Sequence, residues 1–437
     1  MTTQNKLRIW LMAMLLSGTS VACQPATDIP TPTQTSQPAV ENTATIPPAD
    51  IPIATEAGSS LRGTIRIWLS WNVQELKSLE RAIEVFQEKN PNTNLAISYF
   101  PEGALRSALE QIRQGGTAPT VLLAPSSWGA WLWREGYSLD LSSRIDAELE
   151  STIHPLAWNQ VTYQDVKIGV PLEVQGVVLF RHRALIEEPA TSVAEWVRIS
   201  RELKDEQIIG SALDLGFDFT ASQIAACAGA LFDELGQITL DSPEGYCWLE
   251  LMAILRPAGR VTMNDDDDVA FFEAGQAAWI IDGTWNMRRL EQAVGAENLA
   301  VDPWPVYQET GERLAGFVWT ENAYLLPTSA PIDLEATWAF VRFLMTPEAQ
   351  LILSEPAGAD HLTVLSGLEL SDALQVQLLA ALFNGVPRPL REDLDLFRGP
   401  IEVAVDSVAV QGADPGLAIE IALTKIQQAS SEITNPE

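Results

Sequence analysis

Basic side chains are scarce in this sequence: 27 Lys and Arg stand against 58 Asp and Glu, a formal net charge of −31. A surface this acidic is repelled by polyphosphate backbones and anionic lipid, which argues against nucleic acid as a partner and is silent on fold. Only three histidines occur, His154, His182 and His361, too far apart for a local metal-ligand spacing. Catalytic signatures are missing as well: there is no Gly-x-Ser-x-Gly, Walker loop, His-Glu-x-x-His or Gly-x-Gly-x-x-Gly. No catalytic residue, metal or other cofactor is therefore expected. No run is apolar for long enough to span a hydrocarbon core of ~30 Å. Cysteine is confined to Cys23, Cys227 and Cys247.

What is present begins at the N-terminus. Lys6 and Arg8 precede an apolar stretch from Ile9 to Leu16, and Ser20-Val21-Ala22-Cys23 follows small residues. This is the pattern of an export signal at 1–22. Small residues leading to a cysteine resemble a lipobox, with Ser20 where Leu is usual, so Cys23 is the expected lipidation site; an ordinary cleavable signal with an incidental cysteine is the other reading. Residues 24–60 are rich in Pro, Thr, Ser and Ala and hold no Lys or Arg. Such a segment cannot bury enough surface to offset its ordering entropy, and it reads as a tether of roughly 35 Å as a flexible coil. In an exported protein Cys227 and Cys247 read first as a disulfide, two buried thiols being the alternative.

With 46% hydrophobic residues, the rest of the chain can fill one large bilobed body or two to three ordinary domains. Thr64–Leu69 alternates as a strand, and Val73–Lys89 repeats apolar residues at Leu76, Leu79, Ile83 and Phe86 as a helix stopped by Asn90-Pro91-Asn92. Strands over 95–100 and 120–124 flank a helix over 104–113. This β-α-β-α-β order implies an α/β fold with a largely parallel sheet, whose ligands sit beyond the carboxyl ends of the strands. The loops to inspect are thus Ser70-Trp71-Asn72 and Pro125-Ser126-Ser127-Trp128. A turn and strand follow at 169–180. Helix dominates from Ala184 to Leu255, a helix at 268–274 runs into a strand ending at Gly283-Thr284-Trp285, and a strand (316–326) precedes a helix (333–345). Asn264-Asp265-Asp266-Asp267-Asp268 lacks the glycine and glutamate of a calcium loop and reads as acids at a helix N-terminus.

Several segments, in this order, resemble the extracellular solute-binding proteins of sugar ABC importers, the maltose-type family. They are Thr64–Asn90, Gly169-Val170-Pro171 with Glu173 and Gln175, Phe271 to Trp279 with Gly283-Thr284-Trp285, Asp302-Pro303-Trp304-Pro305, and Trp338 to Leu344 with Pro347-Glu348. Phe180 and His182 stand where the family commonly has Tyr and Lys, and Pro119-Thr120 lacks its acid. The resemblance implies a two-lobed periplasmic-binding-protein-like fold, with a hinge and an interlobe ligand cleft that closes on its ligand. On this reading the first lobe takes residues 61–176 and 302–355, and the second takes 177–301 and 356–437.

Fourteen Trp against six Tyr bears on the ligand, because a sugar's apolar faces stack on flat indoles while carboxylates and amides take its hydroxyls. The candidate stacking residues are Trp71, Trp128, Trp285 and Trp319, with core packing the alternative for each; Trp68, Trp131 and Trp133 read as packing. Glu173 and Gln175 alternate on one face of the hinge strand and are expected to fix hydroxyls, unless they face solvent. Asn72, Ser126 and Ser127 can bond hydroxyls or cap helices. Asp282 and Glu321 complete the candidate set.

The expected protein is a monomeric, non-catalytic solute-binding lipoprotein on the outer face of the cell membrane, held by its lipid anchor. It would capture a carbohydrate and deliver it to ABC transporter permease subunits. A secreted carbohydrate-active hydrolase needs only two carboxylates and stays open at this level, as does a surface receptor that signals rather than transports.

Overall fold

The structure, a computed structural model, describes residues 60–101 and 103–434. The export signal, Cys23 and the tether up to residue 59 lie outside the described residues. The chain opens with β1 (Gly63–Leu69), which buries Ile65, Ile67 and Leu69 and pairs parallel with β2 (Thr93–Tyr99) and β3 (Val121–Pro125). Between β1 and β2 runs the helix Val73–Lys89. Asn72 caps it by accepting from the N–H groups of Gln74 and Glu75, and Glu75 returns a bond to the Asn72 N–H. This capping box is worth about 1 kcal/mol and fixes the helix start. Leu79, Ile83 and Phe86 form its buried stripe.

After the small hairpin of β4 (Thr162–Tyr163) and β5 (Val166–Lys167) comes the 13-residue β6 (Val170–His182). The later strands are β7 (Gly210–Asp214), β8 (Gly259–Thr262), β9 (Ala277–Gly283), β10 (Leu299–Asp302), β11 (Phe317–Leu325) and β12 (Val386–Pro387). Their order is β2-β1-β3-β11-β6-β9-β7-β8, with β10 beside β6 and β12 beside β11. The strand β6 serves both halves. Its residues 170–176 pair antiparallel with β11, and from Val177 onward it pairs with β9 and then β10. It alternates up to Gln175 and then runs Val-Val-Leu-Phe without alternation, buried on both faces. At the changeover, a Cβ on Gly176 would stand 2.4 Å from the Phe317 carbonyl oxygen and 2.7 Å from a Leu382 methyl. Only glycine lets the two backbones pass there.

The exchange of partners along β6 thus falls between Gly176 and Val177. Trp304, Tyr307, Leu314 and Phe317 fill the core of the second half, alongside Trp196, Trp248 and Trp279. Thr363 and Leu365 bridge to Glu173 and Ile153 in the first. The helix Ala373–Leu382 packs on β6 and β10.

Sequence periodicity missed β8, β10 and β12, and it missed β7 inside a stretch read as helical. Gly-Ser-Ala-Leu-Asp is short, small and buried at every position, so no period of two marks it. A buried ion pair locks the second half to the hinge strand. Arg181 Nε donates to both Asp302 carboxylate oxygens at 2.8 and 2.9 Å, and the Trp279 indole N–H donates to the same group at 2.9 Å. Of the two readings open for Cys227 and Cys247, the structure has the disulfide, with Cα atoms 6.0 Å apart. The run Asp265–Asp268 enters the helix Asp267–Glu273, with Asp265 accepting from the Asp267 N–H at 3.0 Å; Asp268 is buried rather than solvated. No helix among the described residues is long and apolar enough to cross a membrane.

Candidate functional site: a cleft around the middle of the hinge strand

Strand register places the site. The carboxyl end of β3 stops at Pro125, opposite Glu321, and Glu321 faces Glu173 across the β11–β6 ladder. From the other half, β9 ends at Gly283 opposite Val177. Both halves thus point strand carboxyl ends at Glu173–Val177, where open α/β sheets bind ligands.

Two cavities open there. One, of about 370 Å³, is lined by Ser126, Ser127, Trp128, Trp131 and Trp319, together with Arg106, Asp218, Arg388 and Arg391. The other, of about 190 Å³, is lined by Asn72, Glu75, Glu173, Gln175, Trp285, Arg288 and Asp360. Between them the indoles of Trp285 and Trp319 meet at 5.5 Å, planes 35° apart, and Phe219 lies 6.5 Å beyond Trp285. Trp285 is 51% exposed, unusual for so large an apolar side chain. Gly283 permits its pose, because a Cβ there would stand 2.1 Å from the six-membered ring of the indole. Thr284 ties this turn to the hinge by accepting from the Gly176 N–H at 3.3 Å.

The structure brings Asn72, Ser126, Ser127, Trp128, Glu173, Gln175, Trp285 and Trp319 to the cavity walls. Asn72 and Ser126 are also engaged internally, Asn72 as the helix cap and Ser126 through the Gln160 amide oxygen at 2.9 Å. Trp71 and Glu321 stand behind the wall. Trp71 is only 5% exposed; its indole N–H donates to Glu321 Oε1 at 3.1 Å and its ring meets His361 edge-on at 4.7 Å. The position predicted for a stacking indole is thus occupied by a packing one, because the loop turns Trp71 inward onto β11. Asp282 is buried below the Trp285 turn, accepting from Asn286 Nδ2 at 2.9 Å. Trp131, read as packing, is indeed buried, yet it also borders the larger cavity beneath the Arg106 guanidinium, 4.2 Å away.

Sequence reasoning missed Glu75, Arg288, Asp360 and His361. They come from segments far apart in the chain, so no local spacing signals them. Arg288 is held by Asp360 at 2.6 Å, Glu291 at 2.8 Å and Asp372 at 2.9 Å. Behind this wall His361 Nε2 lies 3.4 Å from Glu75 Oε1 and 3.5 Å from Glu173 Oε2. Arg388 and Arg391 were missed too; Arg388 Nε donates to Asp218 at 2.9 Å.

Burial dominates the electrostatics. It pushes the Glu321 carboxyl up to about 8, against the pull of the Trp71 N–H, and raises Glu173 despite the neighbouring imidazole. It lifts Asp282 to about 6 and, with the Asp282 charge adding to it, Asp268 to about 8. Burial opposes charge on His361, but Glu173 and Glu75 outweigh it and raise this imidazole above its ordinary value. Among the described residues no cluster of three or more His, Cys, Asp or Glu is arranged to hold a metal ion. Chemically, the walls offer flat aromatic faces beside amide, carboxylate and guanidinium groups, in two compartments.

Solved structures share this architecture. A maltose/maltodextrin-binding domain from Bdellovibrio bacteriovorus, bound to maltotriose, superposes with a TM-score of 0.65 at 19% identity, covering 84% of this chain and 100% of its own. The GacH receptor of Streptomyces glaucescens, solved unliganded and with acarbose, gives 0.66 at 20% identity over 86% of this chain and all of its own. An extracellular solute-binding protein from Staphylococcus aureus in complex with maltose gives 0.74 at 14% identity, again over 86% of this chain and 100% of its own. At such identities the likeness speaks for the two-lobed fold. The sequence itself matches the model of the bacterial extracellular solute-binding proteins over residues 70–351, and the chain belongs to that family.

Proposed function

We propose that this protein captures a carbohydrate outside the cytoplasm by closing its lobes over the cleft and delivers it to the permease of an ABC importer, without chemical turnover. One observation carries the reading: the Trp285–Trp319 pair divides the cleft into two compartments with polar walls, so a chain of sugar units can place apolar faces on the indoles and hydroxyls on either side. Glu173 and Gln175 are the hydroxyl acceptors nearest the hinge, Trp128 and Trp285 the platforms. The sugar-bound relatives of the same fold support the ligand class. Lipidation of Cys23 would hold the body near its permease, with the tether giving it reach.

Thermal shift tests this. A ligand that binds only the folded state stabilises it by about 2.7 kcal/mol at a hundredfold excess over Kd. The purified protein is expected to melt higher with one class of oligosaccharide, which is recovered unchanged. Turnover of that sugar would establish a hydrolase, and shifts with polyamines or peptides alone would overturn the choice of ligand.

A further inference from the structure

His361 is the group at the cleft that ligand capture by stacking and hydroxyl bonding does not use. It is 2% exposed, is not among the residues lining the smaller cavity, and faces carboxyl groups from three elements. Glu75 comes from the first helix and Glu173 from β6, each about one long hydrogen bond from the same Nε2. Glu321 on β11 is held through Trp71, whose ring abuts the imidazole. Next in sequence, Asp360 is committed to Arg288 and to the Gln375 amide. Among the described residues Nδ1 meets no partner, so the side-chain polar contacts of this imidazole run through Nε2 to Glu75 and Glu173, and these two carboxyl groups are what must outweigh the unpaired Nδ1–H of the imidazolium.

Glu75 and Glu173 line the smaller cavity itself, whereas His361 lies directly behind them. We propose that His361 is a positioning residue for ligand capture: as the imidazolium it holds Glu75 and Glu173 together as ionised acceptors on the cleft wall, and when it loses its proton the ligand is released more readily. The proposal rests on the capture reading. Its physics is local. Two carboxylates on one wall repel, and a buried one takes up a proton unless a cation stands beside it. A protonated Glu173 would be a poorer acceptor for a hydroxyl than the carboxylate. The raised proton affinity of His361 agrees in direction with this arrangement.

Two readouts separate the parts. The first needs no ligand. Three histidines make the imidazole NMR spectrum assignable by single substitutions, and His361 should titrate above His154 and His182, both of which burial shifts downward. Glu75→Gln, which keeps the cap acceptor of the first helix, should lower the His361 midpoint without unfolding the protein. The second readout is affinity for maltotriose, cellotriose or xylotriose, whichever binds, across the same pH range. It should fall by about tenfold as His361 loses its proton, and His361→Gln should bind weakly with a flat profile; Glu75→Gln should move the wild-type fall to lower pH. The proposal is overturned if His361 titrates at or below the ordinary imidazole value, or if affinity tracks pH identically in wild type and in both variants. If none of the three sugars binds, the carbohydrate reading fails, while the ligand-free titration still decides whether His361 holds these carboxylates.

Discussion

Trp285 and Trp319 touch across the cleft at 5.5 Å between ring centroids, one indole carried by the turn after β9 and the other by β11. An exposed indole held against another is pre-ordered for a flat ligand, which loses less entropy on binding than a mobile one. Trp285→Ala is therefore expected to weaken the best sugar by about tenfold or more, since an aromatic contact is worth about 0.5–1.5 kcal/mol beyond the area it buries. The melting temperature of the ligand-free protein should barely move, because half of this side chain is already in water. Calorimetric titration beside a ligand-free melt checks both halves of the expectation.

Gly283 should matter as much as the indole it supports. Any side chain there collides with the Trp285 ring at 2.1 Å and must turn it off its perch. Gly283→Ala is expected to match the affinity loss of Trp285→Ala, and the double variant should be no worse than either single one. Additive losses would show that the glycine acts on something other than the indole.

The hinge pair Arg181–Asp302 is a matter of stability rather than binding. Asp302→Ala strands a guanidinium that is nearly out of reach of water and leaves the Trp279 N–H unpaired as well. Removing one partner of such a pair costs about 3–5 kcal/mol. Chemical denaturation should show a loss of that size. Arg181→Met combined with Asp302→Leu should recover part of it by removing the stranded charge.

The sequence foretold some of these elements and not others, for reasons that are local. Val73–Lys89 was legible to the residue because it is amphipathic with one face in water and carries its own cap and stop. The strand β7, buried on both sides, has no such contrast between faces. Trp285 stood out in sequence because a large apolar residue in a glycine turn at a strand end has few structural uses, and the fold leaves it half exposed beside Trp319 of β11. Trp71 looks the same in sequence, and only the path of its loop turns it inward. His361 was invisible as a site residue: its partners lie at 75, 173 and 321, and nothing short of the folded sheet brings them together.

Stability itself should depend on pH in a direction the buried acids dictate. Glu321 and Asp268 are both pushed up to about 8, from ordinary values of 4.5 and 3.8, and Asp282 to about 6. A group that binds its proton more tightly folded than unfolded contributes stability that is complete below its unfolded value. That stability drains away as pH rises toward the folded value. The ligand-free protein should therefore lose melting temperature steadily from about pH 5 to about pH 8. His361, also raised, adds to the same trend. Glu321→Gln separates one contributor, because the amide oxygen can still accept from Trp71 while the position can no longer ionise. Its melting curve should be flatter over this window and should lie above wild type at the alkaline end. A wild-type melting temperature that climbs between these limits would mean that Glu321 and Asp268 are ionised in the folded protein, with water or a bound cation reaching them.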